Sequence, residues 1–136
     1  MSDSELPDWE WSLREWLRTT FPDDKIWFDP PKGTPSVPMI TFSGQIGGRP
    51  DADMPIDYPR TSISIWGPPG GDGRKAAVDL KNELVDALSG LSGNLDGETY
   101  GFGARIDSVL WAPDRSDPNN VIPRYIVDVS LAVRAV

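Results

Sequence analysis

Residues 125–135 constrain the fold more than any other stretch, because every second side chain in YIVDVSLAVRA is apolar. This period of two, with many β-branched residues, is typical of a strand with one buried face. At roughly 3.3 Å per residue, such a run is about 40 Å long, whereas a domain of this size has a radius of gyration of only about 14 Å. We therefore expect the strand to bend, to carry a bulge, or to reach past the domain toward a neighbour. One face of the predicted strand carries Tyr125, Val127, Val129, Leu131, Val133 and Ala135.

The composition predicts one globular domain over residues 1–136. Apolar residues make up 38% of the chain and charged residues 25%. This composition is typical of a globular protein and not of a disordered or collagen-like chain. No apolar run approaches the roughly 18 residues of a membrane-spanning helix, and the acidic start, MSDSELPDWEW, predicts no secretory signal. With no cysteine there are no disulfides, and with no histidine the commonest general base and metal ligand is missing.

The charge balance argues against nucleic-acid binding. Thirteen Lys and Arg stand against 21 Asp and Glu, a net charge of −8. The basic residues are dispersed and only Arg74 and Lys75 are adjacent, whereas nucleic-acid binding needs a concentrated basic face. An acidic surface instead repels DNA.

The pattern of each segment predicts its local structure. The order α-β-β-β-α-β-β predicts an α+β fold, a mostly antiparallel sheet of about five strands with two helices packed on one face. The segments are a helix at 8–21, strands at 25–28 and 36–44, an aperiodic loop at 44–60, a strand at 61–67, a helix at 72–89 capped by Asp72, a bulged strand at 99–112, a turn-rich connector at 113–123, and the final strand.

Two loops look at first like ligand sites. GPPGGDGRKAA resembles a phosphate loop, but Arg74 follows Gly73 where a lysine is needed, and Pro68 replaces the first glycine. Asp51, Asp53 and Asp57 suggest a calcium loop, but the glycine and the terminal glutamate of that motif are missing. A turn with a helix cap and a solvated acidic loop explain these segments, so we predict no cofactor and no metal.

The sequence points to no catalytic group. Without histidine a serine triad is excluded, and no Ser-x-x-Lys occurs. Carboxylate pairs are available from Glu10, Glu15, Glu83 and Asp86, but Glu83 and Asp86 lie on the polar side of the second helix, where charge serves solubility. We therefore do not expect an enzyme.

Contact surfaces are the better-supported prediction. The six tryptophans are many for this length, and exposed tryptophan is typical of interfaces. Trp11 falls off the apolar stripe of the first helix, and the 44–60 loop is longer than compact domains usually contain. Arginines beside strands often lie along the surface, yet arginine is also favoured at interfaces. The candidate interface residues are Trp11, Arg49, Asp51, Asp53, Asp57, Arg60, Arg124 and Arg134.

Several segments together resemble the tail terminator proteins of long-tailed bacteriophages. A tryptophan-containing helix, WSLREWL, precedes a short strand, and PMITFSGQIGG runs from a strand into a Gly-Gly loop. DYPRTSISIWG then leads into the helix RKAAVDLKNELVDAL, and PRYIVDVSLAVR starts the final strand. The resemblance lies in element order from about residue 9 onward, so no functional residue is carried over.

The resemblance implies a structural virion protein, present in the host cytoplasm during assembly. Such proteins form a hexameric ring that caps the head-proximal end of the tail tube, stops its growth and joins a head–tail stopper or connector protein. DNA passes through the lumen without specific binding, and no membrane is involved. The alternatives are another neck component, such as a head-completion or stopper protein, a small-molecule enzyme, and a monomeric binding module.

Overall fold

A computed structural model describes residues 9–21, 26–27, 35, 37–45, 56–97, 99–117 and 119–135. The predicted α+β fold is confirmed, while the two-residue β4 and the β6–β7 hairpin are elements that the sequence pattern did not predict. The elements are α1 (Trp9–Leu17), β1 (Ile26–Trp27), β2 (Met39–Gln45), β3 (Arg60–Trp66), α2 (Gly71–Ser89), β4 (Gly93–Asn94), β5 (Thr99–Trp111), β6 (Asp114–Asp117), β7 (Asn120–Ile122) and β8 (Arg124–Ala135).

The main sheet has the order β1-β2-β3-β8-β5-β4, and β6 pairs with β7 in a separate hairpin. Its described pairings are antiparallel except the short contact of β1 with β2. The segment before β3 continues along β8, because Asp57 N donates to Val133 O at 2.8 Å and Leu131 N donates to Pro59 O at 2.9 Å. Strand β8 is therefore central and is hydrogen-bonded on both edges by its own chain.

The length of β8 is matched by a bulged partner. Gly101 pairs with Val133 and Gly103 with Ala132, which leaves Phe102 as an extra residue on β5. A second extra residue follows five positions later, at Asp107. Bulges bend a strand and increase its twist. The bulging predicted from the glycines of 99–112 is confirmed. The expected bulge in the final strand itself is wrong, because both extra residues lie on its partner β5.

Both helices pack on one face of the sheet, as predicted. In α2, the buried leucines 80, 84 and 88 recur at helical spacing, and in α1 Leu13 and Leu17 do the same. These side chains form one cluster with the apolar face of β8, in which Val127, Val129 and Val133 are fully buried. Each fully buried side chain of this size contributes about 1.5–3 kcal/mol.

A buried polar contact fixes α1 against the start of β5. Ser12 Oγ donates to Asp96 Oδ2 at 2.7 Å and lies 3.0 Å from Thr99 Oγ1. Since the Ser12 hydroxyl hydrogen goes to the carboxylate, Thr99 donates to Ser12. Asp96 Oδ1 in turn accepts the Thr99 main-chain N–H at 2.8 Å.

The opposite side of the sheet, called the helix-free face, carries the even-numbered side chains of β3 and β8. One end of this face is covered, because Met39, Trp66 and Ile122 form a second buried cluster. Trp66 Nε1 donates to Thr41 Oγ1 at 2.8 Å, so the buried indole is satisfied. On β5 the corresponding side chains are Tyr100, Arg105, Ser108 and Leu110.

The glycine-rich turn before α2 has a packing role. A Cβ on Gly73 would lie 1.5 Å from the Pro68 carbonyl oxygen, and a Cβ on Gly67 would lie 2.1 Å from the Gly73 oxygen. The predicted Asp72 cap is wrong, because Gly70, with φ of 107°, occupies the N-cap position and the helix starts one residue earlier than Asp72. Asp72 lies in the first turn, where a negative charge favours the helix dipole.

We expect Gly73→Ala to lower the free energy of unfolding by about 1–3 kcal/mol, because the added methyl group overlaps main chain that has no room to move. The control is Gly71→Ala in the same turn, where a Cβ meets nothing within 4 Å. Urea unfolding of both variants checks this, and equal stability of the two would contradict it.

Candidate interaction surface

Strand β5 has an open outer edge. Strand β4 covers only Tyr100 and Gly101. Among the described residues no other strand pairs with that side, so the edge is open from Phe102 to Trp111. A row of unpaired main-chain N–H and C=O groups is a template for a strand from another molecule.

The last part of the open edge, from Val109 to Trp111, is apolar on both faces. Val109 is 44% exposed on the helix-bearing side, and Leu110 is 58% exposed on the helix-free face. Natural edge strands usually discourage pairing with charge, proline or a bulge. Residues 108–111, SVLW, contain no charge or proline, and the nearest bulge lies before them at Asp107. An edge of this kind is typical of one that a partner covers.

The far end of the edge is held in place by α2. The Arg74 guanidinium carbon lies 4.4 Å from the centre of the Trp111 ring, and Lys81 Nζ lies 4.9 Å from the Tyr125 ring. The two rings contact each other, with centroids 4.9 Å apart. Cation–π contacts contribute about 0.5–1 kcal/mol each at exposed sites, so this end of β5 is fixed before any partner arrives.

The second bulge places Asp107 on the helix-free face. Its carboxylate accepts a hydrogen bond from Ser130 Oγ at 2.5 Å and one from Arg105 Nε at 2.8 Å, and Arg60 Nε lies 3.9 Å away. The hydrogen bond from the Ser130 hydroxyl is the largest cause that holds the pKa of Asp107 below its ordinary value. Burial, the next largest effect, opposes it, and Arg105 and Arg60 lower the pKa further.

Asp128 joins three strands on the same face. Its two oxygens accept hydrogen bonds from Ser62 of β3 and, at 2.9 Å, from Ser108 of β5. The carboxylates of Asp107 and Asp128 thus accept hydrogen bonds from serines of neighbouring strands, and Asp107 also accepts one from Arg105 of its own strand. The role of both carboxylates is therefore to hydrogen-bond strands of the sheet to one another.

An exposed aromatic cluster lies at the other end of β5. The rings of Tyr100 and Phe102 meet edge to face with centroids 5.2 Å apart. The Arg134 guanidinium carbon lies 5.4 Å from the Tyr100 ring centre and 5.9 Å from that of Phe102. Phe102 is 48% exposed, so the cluster offers a preformed apolar and cationic contact surface.

The predicted interface residues fall in several places. Arg60 and Arg134 both lie on the helix-free face and are exposed, Arg60 opposite Ser130 and Arg134 opposite Tyr100. Trp11 is 48% exposed on α1, with the Arg14 guanidinium carbon 5.7 Å from its ring centre. Arg124 is engaged internally, since its Nε donates to Ala112 O at 2.8 Å and its guanidinium covers the Trp66 ring.

The predicted 44–60 loop is shorter than its sequence suggested, because the flanking strands take residues from both of its ends. Strand β2 continues to Gln45, and β3 begins at Arg60. Asp57 is half-buried along β8, and its Oδ1 accepts the Tyr58 N–H at 2.8 Å. Arg49, Asp51 and Asp53 lie outside the described residues.

Four exposed residues of β5 were missed from the sequence: Phe102, Arg105, Val109 and Leu110. The strict alternation of a half-buried strand breaks at Val109, Leu110 and Trp111, three consecutive apolar residues. That run is the signal that both faces of β5 are apolar at this point.

Comparisons with family models and with curated proteins identify no relative. A scan against protein-family models finds no matching family, and a search of curated proteins finds no match. In the described part of the chain, no three Asp or Glu side chains gather as metal ligands would. Neither described helix combines the length and apolar character needed to cross a membrane.

We expect Asp107→Asn to lower stability at neutral pH, by less than about 1 kcal/mol because the group is near the surface. The folded pKa of Asp107 lies below 3.8, so its stabilisation is present above that pH and is lost as the pH falls through the folded pKa. The difference from the wild type should therefore shrink in acid. Chemical unfolding at neutral and acid pH measures it, with Asp79→Asn on α2 as the control, and a constant difference would contradict the assignment.

Proposed function

We propose that this chain is a structural virion protein, the tail terminator of a long-tailed bacteriophage. It forms a ring on the head-proximal end of the tail tube, stops tube polymerisation, and provides the surface that joins the head. Its partners are further copies of itself, the tail tube protein and a head–tail stopper or connector protein.

The observation that carries the proposal is the open apolar edge of β5. The central strand β8 is paired on both edges within the chain, so among the described residues the unpaired border of the β5–β8 strand pair is the outer edge of β5. A protein that works as a monomer gains nothing from exposing Val109 and Leu110 beside unpaired main chain. A protein that works as a ring covers them with its neighbour.

The likeness to tail terminators in element order adds support. It rests on quoted segments that fall on α1, β2, β3, α2 and β8. A ring uses heterologous contacts, in which one patch meets a different patch of the next copy. The edge of β5 fits this requirement, since β1 at the other border is only two residues long and offers a different surface.

Another neck component, a head-completion or stopper protein, is the alternative within the virion. Those proteins are expected to be more helical or more purely β, so the mixed fold with two helices on one face supports the terminator. An enzyme or a monomeric binding module is disfavoured, because the carboxylates of the helix-free face are occupied by donors of the same sheet.

We expect Val109→Lys combined with Leu110→Lys to abolish capping of tail tubes while leaving the fold intact, because charge on an open edge blocks strand addition. The control is Val121→Lys on β7, at a residue with similar exposure of 42%. Electron microscopy of each protein mixed with its tail tubes scores rings at tube ends, and circular dichroism checks folding.

Two outcomes would contradict this reading at different levels. If the wild-type protein never associates with tail tubes, the proposed terminator function is wrong. Normal capping by the variant with two lysines would leave the terminator function standing but would show that the edge of β5 is not used for it.

A further inference from the structure

The outward side of α2 carries a stripe of negative charge. Helical spacing places four acidic residues within about 60° of one another, and one lysine lies beside them. All five side chains are exposed, and the net charge of the stripe is −3. This acidic stripe consists of Asp72, Lys75, Asp79, Glu83 and Asp86.

The helix-free face has the opposite charge. Away from its covered end, where Arg124 is engaged internally, its described charged residues are three arginines and two aspartates, a net charge of +1 in a chain whose total is −8. The Arg105 side chain is 79% exposed and that of Arg60 is 56% exposed. Although Arg105 is bonded to Asp107, most of its side chain therefore remains open to a partner. The five residues are Arg60, Arg105, Asp107, Asp128 and Arg134.

Apolar groups stand among these charges. Phe102 is 48% exposed beside Arg134, and Leu110 is 58% exposed at the border of the same face. Aromatic residues and arginine are the side chains most enriched at protein interfaces, whereas lysine is depleted. The helix-free face contains no lysine among its described residues.

We infer that the helix-free face of one copy packs against the acidic stripe on α2 of the next copy, an inference that rests on the proposed ring to supply the second copy. The two surfaces lie on opposite sides of the same molecule, because α2 covers the other face of the sheet. Each copy can therefore use both at once, which gives a heterologous contact that repeats from copy to copy. Opposite potentials steer such partners and fix their register.

A second copy fits this face better than a nucleic acid. The basic residues of the chain are dispersed, whereas nucleic-acid binding needs a concentrated basic face. Arginine also pairs directly with carboxylates such as Glu83 and Asp86. Burying the arginines also leaves the remaining surface of the ring acidic, which suits a lumen that must let DNA pass.

Cross-linking tests the contact directly, because the chain has no cysteine of its own. Gly103→Cys places a thiol on the helix-free face, where an added Cβ meets nothing within 4 Å. Asn82→Cys places one on the exposed side of α2, next to Glu83. We expect a mixture of these two variants to form disulfide-linked dimers under mild oxidation, and each variant alone to form few. As the control, Ser116→Cys, which is exposed on the β6–β7 hairpin, takes the place of either partner in the mixture.

Charge reversal makes the test specific. In the cysteine variants, Glu83→Lys with Asp86→Lys, or Arg105→Glu with Arg134→Glu, should reduce cross-linking at least about tenfold, a loss of roughly 1.4 kcal/mol. Combining the reversed helix with the reversed sheet face should restore it. Rescue of this kind requires the two surfaces to meet, and loss of folding alone does not produce it.

The remaining outcomes separate this contact from the proposed function. Rings at tube ends without the mixed cross-link overturn the contact and leave the terminator function in place. Mixed cross-links in a protein that never caps tubes support the contact and overturn the terminator function. Cross-linking of Asn82→Cys or Gly103→Cys with itself indicates a two-fold pair and overturns the heterologous contact. Binding of single-stranded or duplex DNA that the arginine reversals abolish, with the cross-link unchanged, assigns the face to nucleic acid instead.

Discussion

The structure depends on the pairing of β8 along both of its edges. Strand β3 and the segment at Asp57 take one edge, and the bulged β5 takes the other. Its apolar face then lies under both helices, with Val127, Val129 and Val133 fully buried. Because β8 is hydrogen-bonded on both edges within the chain, it cannot form the border of the sheet, and the exposed border lies at β5 instead. The surface available to partners is therefore a property of β5.

The placement of both helices on one face has a second consequence. Within the part of the chain that the structure describes, the helix-free face lacks a covering layer except where Ile122 meets Trp66 and Met39. Polar cross-links take the place of packing over the rest of it: Asp128 joins three strands, and Asp107 joins two while lying near Arg60. These bonds satisfy the carboxylates as acceptors, while the Arg60 and Arg105 side chains stay largely exposed. The separation of positive and negative charge between the two sides follows from this layout.

The sequence predicts local elements well and their neighbours poorly. Alternation identifies β8, the glycines around Phe102 identify a bulge, and helical spacing places Trp11 off the buried stripe, where it is exposed. The bulge at Asp107 has no glycine to mark it, and Gly70 displaced Asp72 as the helix cap. The open edge was missed because edge status depends on which strands pair across more than twenty residues. No period within β5 records that choice.

Both proposed contacts meet at β5, and this bears on how a neighbour would sit. Val109 and Leu110 line the edge, whereas Phe102 and Arg105 belong to the helix-free face of the same strand. A partner that only extended the sheet would leave Arg105 and the aromatic cluster in solvent. A partner that only stacked on the face would leave the main-chain groups of the edge unpaired. A neighbour inclined over this corner covers the edge and the face together. A contact inclined in the same sense at every copy turns the chain of molecules steadily, and it gives a ring when that rotation closes and an open filament when it does not.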